Sequence, residues 1–313
     1  MAMAKRRLDT LLAERGLFPS RTRAAASVMA GEVFLESARP GARAGARVGE
    51  RRAEKPGELV DVDTHVRLAQ RPAYASRGGI KLANALDASG LDVRGRRALD
   101  IGACTGGFTD CLLQRGARAV IAVDVGYGTL DYRLRSDPRV TVLERTNARA
   151  LTPDMLAGRP AGRPRQPGCA IRDAAGANGA ATDPGAPPDL ATIDVSFISI
   201  SKVLDAVLGC LARPYDVLAL VKPQFELGRG RVGKGGVVRA AEDRRETLIA
   251  VAEAAIALGA AVLGFYPSGL PGPKGNRETF VWLTASSPEG DRACGRGTRE
   301  PGEVERMARE VEP

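Results

Sequence analysis

Four charged residues stand where short apolar runs meet polar sequence: Lys81 in SRGGIKL, Asp194 in ATIDVSF, Lys222 in LVKPQF and Glu278 in NRETFVW. Each is read as lying at or near the end of a sheet element, where open α/β sheets bind ligands. A lone lysine or glutamate in such a place is more often solvated than catalytic. Lys222 and Asp194 depart from that rule because each follows an apolar run. Two lysines with two carboxylates suit one task. A hydroxyl is a poor nucleophile at neutral pH, and a lysine can take its proton only where burial or a second cation favours the neutral amine. The carboxylates would orient the two amines, and the group being attacked would have to lie in line with the hydroxyl. The single histidine, His65, lies in the alternating segment DVDTHVRLA with no nucleophile motif beside it. Hydrolases of the Ser-His-Asp or Cys-His kind and most metal sites are thereby disfavoured.

Such a hydroxyl needs a reaction partner, and a second group of residues suits one. ALDIGACTGGFTD places Gly102, Gly106 and Gly107 where the backbone must turn tightly before a helix. The spacing is G-x-x-x-G-G, not the G-x-G-x-x-G of dinucleotide enzymes. Asp124 closes the next apolar run, 22 residues after Gly102, where an acid accepts hydrogen bonds from ribose hydroxyls. This pair suits an adenosyl cofactor better than a nicotinamide. A further glycine-rich stretch, GRGRVGKGG from Gly228, is one residue from a P-loop, but Gly235 fills the place of the magnesium-holding Ser or Thr. It is read as a mobile basic loop with Arg229, Arg231, Lys234 and Arg239 placed to meet RNA.

The elements that must position these residues follow an alternating plan. RALDIG, RAVIAVDVG, VTVLERTN, DLATIDVSFIS and DVLALVKPQF read as strands, with GGFTDCLLQRG and ISKVLDAVLGCL as helices among them. That order means βαβ units and a parallel sheet. The final pair, AAVLGFYPSG and ETFVWLTA, is joined by LPGPKGNR, too short for a parallel crossover, so the last strand should be antiparallel. Residues 158–188 are expected to be a disordered insertion, and 287–313 a loose polar tail. Thr247 to Tyr266 holds one charge in 20 residues, long enough to span a bilayer. Glu253 near its middle and Gly259 instead divide it into a soluble helix and a strand.

With 313 residues, the chain has room for one large domain and a small one. Of its formal charge of +9, the first 80 residues contribute +6, from 15 Lys/Arg against 9 Asp/Glu. This points to a polyanionic partner. Within this module Leu8, Leu11 and Leu12 share a helical face with Gly16 as a stop, and Ser20 can cap a second helix ended by Gly31. Strands follow at EVFLE and ELVDVDTHVRL, with an extended loop between. Arg6, Arg7, Arg21 and Arg23 cluster at the helix starts, for nucleic acid or as a solvated face. The five cysteines form no CxxC pair, so they are read as small buried residues with no metal site or disulfide framework. MAMAKRRLD lacks the apolar core of a signal peptide, which makes the cytoplasm the default location.

In order along the chain, SRGGIKL, LDIGACTGGFTD, ERTNAR, DVSFIS, LVKPQFE, GKGGVVR and NRETFVWL resemble the TlyA (hemolysin A) family of ribosomal RNA 2′-O-methyltransferases. RLDTLLAERGLFPSRTRAAASVMAGEVFLE resembles the S4 RNA-binding module that this family carries. Only the loops at 37–56 and 158–188 fall outside the resemblance. It implies an S4-like α+β domain over 5–68, a linker over 69–76 that includes RPAY, and a Rossmann-like, FtsJ-like α/β methyltransferase domain over 77–286. It also implies S-adenosylmethionine as donor, held by Gly102, Cys104, Thr105, Gly106, Gly107, Phe108, Asp124 and Asn147. The acceptors would be cytidine 2′-hydroxyls of small- and large-subunit rRNA, reached through a Lys-Asp-Lys-Glu tetrad on Lys81, Asp194, Lys222 and Glu278. Arg77, Arg145 and Arg149 sit beside family motifs as candidates to grip RNA phosphates. Two other readings are a membrane-active hemolysin, which Glu253 and Gly259 argue against, and a ribosome-binding factor that would leave the turn and tetrad idle.

Overall fold

Contacts divide the chain into two units, Met1–Pro72 and Ala73–Pro313. The computed structural model describes residues 5–37, 49–68, 73–157, 186–233, 235–272, 274–285 and 297–312.

The first unit runs β1 (Lys5–Arg7), α1 (Leu8–Glu14), α2 (Arg21–Met29), β2 (Val33–Ser37), β3 (Gly49–Arg52), β4 (Leu59–Asp61) and β5 (His65–Leu68). Leu8, Leu11 and Leu12 of α1 meet Ala24 and Val28 of α2 over Val33 and Leu35, which closes a small core. Ser20 caps α2, its hydroxyl accepting from the Arg23 amide at 3.2 Å. β1 pairs with β4, while β2 lies between β3 and β5, all antiparallel. Two expectations need correction. ELVDVDTHVRL is not one strand: the chain turns at Val62–Thr64, where the Arg15 guanidinium donates to the Thr64 carbonyl at 2.7 Å, and its halves join different sheets. The loop after β2 contains β3, whose charged GERR sequence hid an edge strand. Residues 38–48 of that loop lie outside the described residues.

The second unit begins with α3 (Arg77–Ser89), then β6 (Arg97–Ile101), α4 (Gly107–Gln114), β7 (Ala119–Val123), α5 (Tyr132–Arg135) and β8 (Val140–Leu143). It continues with α6 (Pro153–Leu156), β9 (Leu190–Ile193), α7 (Ser201–Leu208), β10 (Asp216–Val221), α8 (Pro223–Glu226) and α9 (Ala241–Ala257). β11 (Ala260–Pro267), β12 (Thr279–Ala285) and α10 (Pro301–Val311) complete it. The strands form one sheet in the order β11-β12-β10-β9-β6-β7-β8. β12 slots between β10 and β11 and is antiparallel to both, while β10, β9, β6, β7 and β8 pair in parallel. This is the α/β, mostly parallel architecture the sequence predicts, with its last strand reversed.

The central strands are largely apolar because both faces are covered, with Asp100 and Thr192 as buried exceptions. Every residue of β6 and β9 is buried. Alternation within β6 splits its side chains between two cores. Leu99 and Ile101 join α7, α9 and α10, and Ala98 joins α3 and α4. At the start of the strands Arg96 pairs with Asp216 at 2.6 Å, and the Trp282 indole donates to the same carboxylate at 2.8 Å. That pins the end of the sheet opposite the site.

Two further expectations fail here. Lys81 is not at a sheet end but inside α3, a helix that Ser76 caps and Gly90 stops. The residues after 287 are not a loose tail throughout. Residues 301–311 are helical, because Val304 and Ala308 bury one face of α10 against α9 and β11. Of the expected insertion over 158–188, residues 158–185 lie outside the described residues and 186–188 are coil leading into β9. Thr247–Tyr266 is indeed helix then strand, and no described helix is long and apolar enough to cross a membrane.

Candidate active site

The sheet order reverses between β6 and β9. The chain leaves β6 toward β7 and β8, then returns to the other side of β6. Ligands of open α/β sheets bind at such a reversal, beyond the carboxyl ends of the strands. Gly102 directly follows β6 and Asp194 directly follows β9, and the Asp194 amide donates to the Ile101 carbonyl at 2.8 Å. Gly102 has φ +83, and a Cβ there would meet the Asp194 carbonyl oxygen at 2.5 Å. Only glycine fits.

A cavity of about 720 Å³ opens at this point, and all four members of the expected tetrad line it. Lys222 ends β10, and its Nζ lies 2.6 Å from Asp194 Oδ1 and 2.9 Å from Ser196 Oγ. Lys81 reaches in from the second turn of α3 and pairs with Glu278, whose side chain is only 1% exposed. Two ion pairs thus stand in one cavity that no histidine lines, and among the described residues no cluster of His, Cys, Asp and Glu is placed to hold a metal.

The opposite wall is the glycine turn. Gly102, Cys104, Thr105, Gly107 and Phe108 line the cavity. Cys104 is held at φ +49, with its amide donating to Asp124 Oδ2 at 2.8 Å. Gly107 is the first residue of α4, and a Cβ on it would lie 2.2 Å from Ser76 Oγ and 2.9 Å from the Gly79 nitrogen. Its bareness lets α3 and α4 cross closely, which brings Lys81 toward the turn. The remaining three expected cofactor residues are not cavity-lining. Gly106 caps α4 at φ +94. Asp124 sits just past β7, also accepting from the Gly126 amide at 2.6 Å. Asn147 is exposed beyond β8, where its side chain accepts from the Arg149 amide at 3.1 Å.

Beneath the turn lies Asp100, fully buried and bonded to Thr109 at 2.6 Å and Thr192 at 2.9 Å. Burial pushes its carboxyl up to about 6, against the lowering effect of the threonine bonds. Of the three cysteines in the described residues, Cys111 and Cys210 are buried and Cys104 is exposed, a departure from the expected burial. Burial raises the Cys111 thiol to about 12 and the Cys210 thiol to about 11.

The expected RNA-binding arginines differ in how their charges are used. Arg77 lines the cavity and donates to the Pro271 carbonyl at 3.0 Å. Arg145 stacks 4.3 Å over the exposed Tyr127 ring, and Arg149 is exposed. Arg231 corrects the reading of a freely presented basic loop, because Asp243 and Glu246 of α9 neutralise it. In the first unit Arg7 and Arg21 both grip Asp9, at 2.8 and 3.1 Å, and Arg6 pairs with Glu14 at 2.8 Å. Arg7 above all, and then Arg21, hold the Asp9 carboxyl well below the usual carboxylate range. Arg23 is exposed on α2. Lys234 and the Arg229 side chain lie outside what is described.

Sequence reasoning missed several site residues. Ser196 is the hydroxyl partner of Lys222. Glu226 of α8 accepts from Ser199 Oγ at 2.6 Å and the Ile200 amide at 2.9 Å, which fixes the loop between Asp194 and α7. Phe197 in that loop is 91% exposed at φ +67, its ring 5.1 Å from Phe225, and both line the cavity. Lys274 adds a third lysine. The DVSFIS and KPQFE stretches contain all of these except Lys274, but nothing in their spacing separates an exposed aromatic from a buried one.

Residues 74–285 match the FtsJ-like methyltransferase family. The 16S/23S rRNA (cytidine-2′-O)-methyltransferase TlyA of Mycobacterium tuberculosis is 43% identical over 284 residues, covering 90% of this chain and 91% of that protein. Hemolysin A of Brachyspira hyodysenteriae is 34% identical over 233 residues, 74% of this chain and 80% of that one. A solved hemolysin-type structure from Streptococcus thermophilus superposes with TM-score 0.63 at 34% identity, covering 99% of this chain and 96% of that one.

Proposed function

The chain belongs to the FtsJ-like methyltransferase family and to its TlyA branch, and on that premise we propose that it methylates a cytidine 2′-hydroxyl of ribosomal RNA. Acceptors lie in the small subunit, the large subunit or both. The observation that carries this reading is the convergence of the Lys222–Asp194 and Lys81–Glu278 pairs with the glycine turn in one cavity.

S-Adenosylmethionine is the methyl donor, and when bound it supplies an electrophilic methyl on a sulfonium. The residues present fit it. Gly102, Cys104, Thr105, Gly107 and Phe108 form one wall of the cavity beside the tetrad, and the bare Gly102 and Gly107 let the turn pack closely enough to shape that wall. Asp124, fixed by the Cys104 and Gly126 amides, supplies the ribose-binding carboxylate.

The protein's own part in the chemistry is proton removal and alignment. Asp194 and Ser196 fix Nζ of Lys222 at one point in the cavity, where it takes up the ribose proton after passing its own to Asp194. Glu278 holds Lys81 beside the same space, so its Nζ orients the acceptor oxygen. Phe197, exposed and held at a costly φ, offers a face on which the target base stacks. The first unit, with its basic residues and S4-like sequence, binds rRNA and raises its local concentration.

The test is a map of ribose methylation in rRNA from cells with and without this protein. The expected result is a cytidine 2′-O-methyl mark lost with the protein and restored by it. Identical maps would reject the assignment.

A further inference from the structure

Glu278 has a neighbour whose partner lies far along the chain. Thr279 Oγ1 donates to Glu312 Oε1 at 3.3 Å, and the other oxygen, Oε2, accepts from Arg244 Nε at 2.7 Å. Glu312 follows α10 and is 3% exposed, Arg244 is 7% exposed, and Thr279 is buried with them. Arg277 stands 4.0 Å away at the rim of the same carboxylate. The Arg245 guanidinium donates to the Glu312 carbonyl at 3.2 Å, so the residue is gripped by backbone as well as side chain.

Arg244 does more than balance this charge. Its Nη1 donates to the Arg239 carbonyl at 2.6 Å, on the strap of residues 235–240 that leads into α9. Asn276 ties the same strap to the Glu278 segment, accepting from the Val238 amide and donating to the Gly236 carbonyl, both at 2.8 Å. Gly236, Asn276 and Glu278 all line the cavity. One buried carboxylate therefore connects the tetrad glutamate's strand to the strap facing it.

We propose that Glu312 is a positioning residue of the methyl-transfer site. It holds Glu278, and through Arg244 the strap 235–240, in the register that keeps Lys81 aimed at the acceptor oxygen. The proposal rests on the reading of this cavity as the transfer site. Replacing a whole buried ion pair by apolar side chains of similar volume is often tolerated, whereas removing one partner strands the other charge. The informative variant is therefore the double replacement Arg244→Met/Glu312→Met, beside the milder Thr279→Val.

The experiment measures thermal unfolding, S-adenosylmethionine affinity, amide hydrogen exchange of the strap, and kcat and KM on ribosomal subunits. In the double variant kcat should fall at least tenfold with cofactor affinity unchanged, and exchange at the Val238 amide should rise at least tenfold. Thr279→Val should unfold like the parent and lose about threefold in kcat; if the double variant does not fold, this variant decides. Unchanged kcat in the folded variants, or a loss confined to KM, would overturn the proposal. If the parent protein methylates no ribosomal RNA while strap exchange still rises in the double variant, the functional reading fails and the tether stands.

Discussion

Lys222 and Glu278 stand opposite each other, one residue beyond the Val221–Thr279 pair that ends the β10–β12 ladder. The antiparallel strand is what makes this possible: it delivers a residue from its beginning to the edge where its neighbours end. Lys222 then turns to Asp194 on β9, and Glu278 to Lys81 on α3. The site is a row of strand ends closed by one helix.

Glu278→Ala should destabilise the protein by about 3 kcal/mol, because the largely buried Lys81 ammonium loses its counter-charge. Denaturant melts of this variant, Lys81→Met and the double variant would check it. The two single losses should exceed the double by more than 1 kcal/mol, roughly, since the residues share one interaction.

Gly102→Ala should fold less stably and lose cofactor affinity by at least roughly tenfold. Its φ of +83 and the Asp194 carbonyl 2.5 Å from the added Cβ leave the methyl no room. Calorimetric titration of S-adenosylmethionine measures the loss. Parental affinity would show that the turn does not shape the cofactor site.

Phe197→Ala should raise KM for ribosomal substrate roughly tenfold, in keeping with the ~1–3 kcal/mol of a base–aromatic stack. At 91% exposure the ring supports little of the fold, so thermal stability and cofactor affinity should not move. A melting temperature that drops with KM would instead make it a packing residue.

Asp100 gives a pH dependence. Burial raises its folded pKa to about 6, above the ordinary aspartate value of 3.8. Between about pH 4 and pH 6 the folded state therefore holds a proton that the unfolded chain has released, and stability falls as pH rises through that window. Asp100→Asn should be more stable than the parent at pH 7.5, by up to about 3 kcal/mol, because it removes the buried carboxylate. The gap should close toward pH 4. A gap that is constant with pH would mean that the carboxyl does not titrate there.

Much of this was legible in the sequence, and the gaps have physical causes. Strand ends such as LVKPQF and ATIDVSF are visible because burial on both faces makes the preceding run mostly apolar. Ser76, Gly90 and the Leu82–Leu86 spacing do mark α3 as a helix, but Lys81 beside the short apolar SRGGIKL run also reads as a strand end. α10 buries Val304 and Ala308 in a charged sequence, so polarity outweighed period. Pairings between distant segments, Lys81 with Glu278 or Arg231 with α9, leave no local signature. They depend on tertiary closeness alone.

The central claim is that Lys222 takes the proton of the methylated hydroxyl. It is tested most directly by transfer of labelled methyl from S-adenosylmethionine to ribosomal subunits, comparing Lys222→Ala with the parent and measuring cofactor binding in both. The prediction is cofactor affinity within about twofold of the parent, since the glycine turn is untouched, and transfer at background, a loss of at least ~10²-fold for a general base. Transfer at the parental rate in a folded, cofactor-binding Lys222→Ala protein would contradict it.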